Sequence, residues 1–231
     1  MVSPRIHNRL LSALSPEDFA LFGDDLRPVP LDQGQVLYAV GDPLKWIYFI
    51  EHGLASVMTT MEDGGASEVG MVGPEGMIGA SVLLGGTVSA QHIVVQLPGK
   101  ALRIGARECK AVFDANADVR RVMLRFVEDI LNLSAQTAAC NRLHLVEQRC
   151  ARWLLMASDR VQSHVLALTQ EFLAAMIGVR RSGVSEAAGE LQRSGVIRYR
   201  RGEITILDYA ALQAIACECY ALDRERVERL L

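Results

Sequence analysis

Glycine is spread unevenly along this 231-residue chain. It punctuates the first hundred or so residues, vanishes from Ala106 for about seventy residues, and returns at Gly178. Glycine ends strands and supplies tight turns, and inside a helix it costs about 1 kcal/mol relative to alanine. A glycine-dense segment therefore folds as short strands, and a segment that avoids glycine folds as helix. The pattern predicts an α+β protein whose β-rich part comes first.

In the front part, apolar, β-branched and aromatic runs end at turn residues. Val36–Val40 ends at Gly41-Asp42-Pro43, Trp46–Ile50 at His52-Gly53, and Leu54–Met61 at Asp63-Gly64-Gly65. Ser67–Val72 ends at Gly73-Pro74 and His92–Leu97 at Pro98-Gly99. Many short strands at regular spacing indicate a barrel or roll, here of about eight strands. A helical lead-in from Ile6 to Phe22 precedes them. Ser15-Pro16-Glu17-Asp18 supplies its N-cap, first-turn proline and acids.

The glycine-free middle carries an apolar stripe. Val119 leads into Phe126, Ile130, Leu133, Thr137, Cys140 and His144, spaced as on one face of a helix. The stripe could pack on its own roll, but it extends beyond what a small roll covers. The sequence reading therefore takes Val119, Phe126, Ile130, Leu133, Thr137 and Cys140 as a seam between two copies. The expected division is a β-roll sensor domain with its lead-in helix at 1–113, a long dimerisation helix at 114–145, and a third domain at 146–231. The last opens on a helix at Val146–Val161 with Trp153, Leu154 and Met156 in its core.

The third domain carries the strongest signal. Thr169 is a good N-cap, and Phe172–Ile177 is apolar and helical. Gly178 breaks the helix, and a second one runs from Arg180–Ser182 to about Arg193 before Gly195. Val196–Tyr199, Arg200-Arg201-Gly202 and Glu203–Leu207 then read as strand, turn, strand. This is a helix-turn-helix followed by a wing. Charge agrees: residues 169–202 hold six arginines against three glutamates in a chain of net charge −3. A locally basic segment in an acidic chain is the footprint of a nucleic-acid contact. The candidate DNA-binding residues are Thr169, Gln170, Arg180, Arg181, Ser182, Ser185, Glu186, Arg200 and Arg201. The first residues of the second helix reach base edges, and the wing arginines hold phosphates.

A glycine-punctuated roll, a long helix and a winged helix-turn-helix, in that order, resemble the Crp/Fnr family of bacterial regulators. The likeness is most specific over Leu168–Val184. It implies a cyclic-nucleotide-binding-like front fold, a homodimer on palindromic double-stranded DNA, and RNA polymerase as protein partner. By this resemblance Arg181 falls on the family's base-reading arginine, while Ser182 replaces the acid that commonly follows it.

The sensor departs from the cyclic-AMP members. The stretches matching their phosphate-binding segment are Gly79-Ala80-Ser81 and Val88-Ser89-Ala90. Ala80 stands where an acid would hold the ribose, and Val88 where an arginine would neutralise the phosphate. On the long helix Ser134 alone keeps one of two purine-touching hydroxyls. Gly79, Ala80, Ser81, Val88, Ser89 and Ser134 are the candidate effector residues. Cyclic AMP is disfavoured, because a buried phosphate needs a cationic partner, and the effector stays unnamed. No cysteine precedes Cys109, against an N-terminal iron–sulfur cluster, and His52 or His92 alone does not make a haem site.

Other classes fit less well. The five histidines are widely separated and no nucleophile elbow, P-loop or paired-acid motif is present, so neither an enzyme nor a metal site is expected. A ligand- or partner-binding module that never touches DNA leaves the basic segment unexplained. The five cysteines read as reduced thiols. Cys217-x-Cys219 has one intervening residue where metal pairs have two, though both thiols, in a helical tail at Asp208–Leu231, are candidates for sensing oxidation. No apolar run reaches the roughly 18–20 residues of a membrane span, and Met1–Leu14 lacks the marks of a signal peptide, so the cytoplasm is the expected location.

Overall fold

A computed structural model of the protein describes residues 6–62 and 65–230. The expected turn at Asp63-Gly64 and the first residues of the Met1–Leu14 stretch lie outside the described residues. The chain forms two compact units. One comprises the described residues up to Val57, Met71–Leu131, and Arg229 and Leu230. The other comprises Met58–Gly70 and Asn132–Glu228.

The first unit opens on two short helices, α1 (Arg9–Ser12) and α2 (Pro16–Ala20). Ser15 caps α2 as its sequence predicts, its side chain accepting from the Asp18 N–H. Asn8 is fully buried, and its side-chain amide donates to the carbonyls of Ile50 and Gly76 at 2.9 and 2.8 Å. Those bonds fasten the lead-in to the roll.

Among the described residues the roll has six strands where about eight were expected: β1 (Arg27–Leu31), β2 (Val36–Tyr38), β3 (Trp46–Thr60), β4 (Ala66–Val72), β5 (Met77–Ile78) and β6 (His92–Gly105). The sheet order is β1-β6-β3-β4, with β2 on β6 and β5 on β3. The count fell because two glycine sites taken as turns lie inside strands. Gly53 has φ +93° in the middle of β3, and Gly99 lies within β6. A Cβ on Gly53 would stand 2.7 Å from the Leu97 carbonyl oxygen. These glycines let two backbones close on each other rather than reverse the chain.

Helix α3 (Ala106–Ala115) follows β6 directly, and α4 (Ala117–Leu143) comes after a break at Asn116. The Asn116 side chain accepts from the N–H groups of Asp118 and Val119 at 2.9 Å and donates to Asp18 at 2.7 Å. It caps α4 while anchoring its start to the lead-in.

The second unit is built on α5 (Val146–Val161), whose Trp153 is fully buried. The indole N–H donates to Glu68 at 2.9 Å, so the polar atom of the largest core side chain is satisfied. After α5 come β7 (Val165–Ala167), α6 (Gln170–Ile177), α7 (Arg181–Arg193), β8 (Ile197–Arg200), β9 (Glu203–Ile206), α8 (Tyr209–Ile215) and α9 (Cys219–Arg229). Strand β7 was not anticipated: its three residues are too few to show alternation, yet they pair with β9 to give the order β7-β9-β8. The tail is tied to α5 by buried and half-buried polar groups. Arg160 pairs with Asp223 through two bonds of 2.9 and 3.2 Å, and Tyr209 and Tyr220 both donate to Asp159. Burial alone would raise the Asp223 carboxyl, but Arg160 and Arg226 outweigh it and hold the group below the usual carboxylate range.

Candidate nucleic-acid interface and sensor stretch

The turn between α6 and α7 is set by local chemistry. Thr169 caps α6, its hydroxyl oxygen accepting from the Phe172 N–H at 3.2 Å. Gly178 ends the helix at φ +62°, ψ +45°, and the N–H groups of Gly178 and Val179 return to Ala175 and Ala174. Arg149 of α5 is buried and donates to the carbonyl oxygens of Ile177 and Asn141. A cation at a helix C-terminus meets the negative end of its dipole, and here it fixes where α6 stops.

Helix α7 divides cleanly. Val184, Ala187, Ala188 and Leu191 are buried against the unit's core. Arg180, Arg181, Ser182, Ser185 and Glu186 are all exposed at or near its N-terminal end. Arg180 is the N-cap residue and makes no side-chain cap bond. The Ser185 hydroxyl stands 3.0 Å from both the Gln170 side-chain oxygen and the Arg181 carbonyl, and its one proton can be donated to either, linking the two helices.

The wing is a two-residue hairpin. Arg200 pairs with Glu203, leaving Arg201 (φ +53°) and Gly202 (φ +79°) as the turn. Two positive φ values in succession define the type I′ turn that matches strand twist. Arg201 is therefore held at the tip in a conformation that L-residues disfavour, with Arg200 beside it, and both are exposed.

In the roll, Gly79 has φ +92° and opens a short 3-10 turn over Ala80–Leu84. A Cβ there would stand 2.7 Å from the Trp46 carbonyl oxygen. Ser81 is exposed, Val88 is exposed, and Ser89 is buried with its hydroxyl donating to the Gln91 carbonyl at 2.7 Å. Residues 79–90 contain no lysine, arginine or histidine. Ser134 lies on α4 in the second unit and is half-buried.

The stripe on α4 is already covered within one chain. Val119, Phe126, Leu133, Thr137 and Cys140 are buried and Ile130 half-buried. The exposed apolar positions of α4 include Leu124, Leu131, Ala135, Ala138, Ala139 and Leu143. Sequence spacing identified a face but not what it meets.

Sequence reasoning also passed over a cluster. Cys140, His144, Cys217 and Cys219 converge in the second unit. The signal was the four-residue step from Cys140 to His144, which places both on one side of a helix. The two remaining cysteines, Cys109 and Cys150, are not part of the cluster, and burial pushes their thiols up to about 12.

Two family models match the chain, a cyclic nucleotide-binding domain over residues 28–116 and a Crp-like helix-turn-helix domain over residues 148–215. Among curated relatives, the transcriptional regulatory protein btr of Bordetella pertussis is 25% identical over 197 residues, covering 81% of this chain and 80% of that protein. The CRP-like cAMP-activated global transcriptional regulator of Mycobacterium tuberculosis is 22% identical over 208 residues, covering 86% of this chain and 92% of that one. The structure of FixK2 from Bradyrhizobium japonicum shares the fold, with a TM-score of 0.70 at 14% identity over 83% of this chain and 98% of its own. Fold and domain order thus define a transcription regulator that joins a cyclic nucleotide-binding fold to a helix-turn-helix. The chain belongs to the Crp/Fnr family. Among the described residues, no helix is long and apolar enough to cross a membrane.

Proposed function

We propose that the protein is a homodimer that reads a palindromic DNA site through α7, in the cytoplasm, as a regulator and not an enzyme. The observation that carries this reading is the row of exposed side chains at the start of α7, with Arg200 and Arg201 at the wing. Arg180 and Arg181 can each face a guanine edge, Ser182 and Ser185 are permissive partners, and the wing arginines suit phosphates. The bridge from Ser185 to Gln170 holds the two helices in register.

The dimer surface in this reading is the exposed stripe Leu124, Leu131, Ala135 and Ala138, with steps of seven, four and three residues. Those steps fit a helix-to-helix seam. The previously named positions from Val119 to Cys140 then support each helix from behind. RNA polymerase is the protein partner that the family resemblance implies. Any effector at Gly79–Ser81, Val88, Ser89 and Ser134 binds differently from cyclic AMP, for want of a cation opposite its phosphate.

The test is selection from random duplex DNA by the purified, ligand-free chain at about 0.1 M salt, where phosphate contacts still contribute. A two-fold symmetric motif with half-sites about one helical turn apart is expected. No binding even at lower salt would refute DNA reading and favour a partner-binding module.

A further inference from the structure

The cluster of Cys140, His144, Cys217 and Cys219 is not used by the DNA-reading surface. Cys140 lies near the end of α4 and His144 just beyond it. Cys217 precedes α9, and Cys219 is its first residue. One ligand atom from each residue lies within 4.8 Å of the other three. Cys140 Sγ is 3.6 Å from Cys217 Sγ, and Cys219 Sγ is 3.6 Å from His144 Nδ1.

Those separations have a chemical meaning. A tetrahedral zinc ion has bonds of about 2.3 Å to sulfur and about 2.0–2.1 Å to nitrogen. Its ligand atoms then stand about 3.8 Å apart for two sulfurs and about 3.5 Å for sulfur and nitrogen, the edges of the tetrahedron. Both observed pairs lie at such edges. A multi-iron cluster would place its own irons and sulfides between the ligands and spread them further.

We propose that Cys140, His144, Cys217 and Cys219 form a closed Cys3His site for one divalent transition-metal ion, with zinc the best fit. With four protein ligands no coordination position is left for a substrate, so the ion's part is structural or regulatory. Three thiol protons leave to solvent as it binds, the imidazole binds neutral, and no electron moves.

The surroundings suit that charge. His144 Nε2, the ring nitrogen away from the cluster, faces Glu218 Oε1 at 3.1 Å. A carboxylate on the far nitrogen of a ligating histidine is the usual second partner. The Gln136 amide donates to Cys219 Sγ at 2.9 Å. Arg152 is only 4% exposed, and its Nε and Nη1 have no hydrogen-bond partner among the described residues. Its charge already bears on the buried Asp223 carboxylate, and a buried cation favours further negative charge nearby. Three thiolates on a dication leave one net negative charge, and the Arg152 charge bears on both Cys140 and Cys217. The ion would join the end of α4 to the head of α9, positions 77 residues apart in sequence.

The experiment uses the full chain, metal-stripped and kept reduced, titrated with cobalt(II) and then competed with zinc. The expected result is one cobalt per chain, with thiolate-to-cobalt charge transfer and the strong visible bands of a tetrahedral site, displaced by one equivalent of zinc. Cys219→Ser should abolish these bands, while Cys109→Ser on α3 should keep them. Because a buried cysteine variant can fail to fold, Glu218→Gln is the second probe. It alters an exposed side chain and should weaken zinc about tenfold, as loss of an outer partner does. A folded, reduced chain without the tetrahedral spectrum would overturn the proposal. So would binding indifferent to both Cys219→Ser and Glu218→Gln, or isolation of a Cys140–Cys217 disulfide in a chain that takes up no metal once reduced. These outcomes are independent of whether the chain finds a DNA site.

Discussion

Two short segments of this molecule share one backbone device and differ in chemistry. Gly79 and Gly178 both have positive φ, and both lie just before a helical turn. After Gly178 come Arg180 and Arg181. After Gly79 come Ala80 and Ser81, and no lysine, arginine or histidine follows as far as Ala90. Free N–H groups at a helix start can address a phosphate, but a desolvated anion also needs charge. The difference teaches that one backbone device can present a charged surface in one place and an uncharged one in another.

The largest expected effect lies on the scaffold side. Gly79→Ala places a Cβ against the Trp46 carbonyl in a backbone conformation that alanine resists. Urea unfolding of the full chain should show a loss of about 3 kcal/mol. Gly178→Ala should lose only about 1–2 kcal/mol, since its αL geometry is milder and its nearest neighbour is the Ser67 hydroxyl. Equal losses would break the view that Gly79 serves packing first.

Next comes the side-chain half of the comparison. Arg181→Ala should leave stability unchanged and cost about 1–3 kcal/mol of discrimination per half-site. Fluorescence anisotropy on a selected duplex and on one with a changed guanine measures this directly. A uniform loss on both duplexes would move Arg181 from base reading to phosphate holding.

A smaller effect is expected at the wing. Arg201→Asn keeps a favoured type I′ turn before Gly202 and removes one cation. It should weaken all duplexes to a similar degree and reduce the salt slope by about 1 per wing. The smallest effect is a null. Cyclic AMP should leave DNA affinity unchanged and give no saturable heat in calorimetry. Restoring the missing pair as Ala80→Glu with Val88→Arg should introduce measurable binding if side chains are all that the roll lacks.

The helix-turn-helix was legible because its signals are local. Thr169 as cap, Gly178 as turn and the alternation of buried and exposed residues on α7 each follow from near neighbours. The front half was harder, since a glycine that ends a strand and a glycine that lets two strands touch look alike in sequence. Gly53 and Gly99 are of the second kind. The stripe on α4 was visible as a periodicity, but periodicity does not say whether the far side is the same chain or a second one. The four-residue thiol–imidazole cluster was least legible, because the steps from Cys140 and His144 to Cys217 and Cys219 cross most of the second unit.

The buried indole of Trp153 has an optical consequence. The chain has two tryptophans, and each unit holds one. Trp153 is shielded from solvent and bonded to a carboxylate, so its emission should be blue-shifted. Trp46 is 39% exposed, with the Arg103 guanidinium 4.2 Å from its ring centroid, and should emit further to the red. Melting recorded at two wavelengths would therefore follow the surroundings of the two indoles separately in one cuvette, without a label.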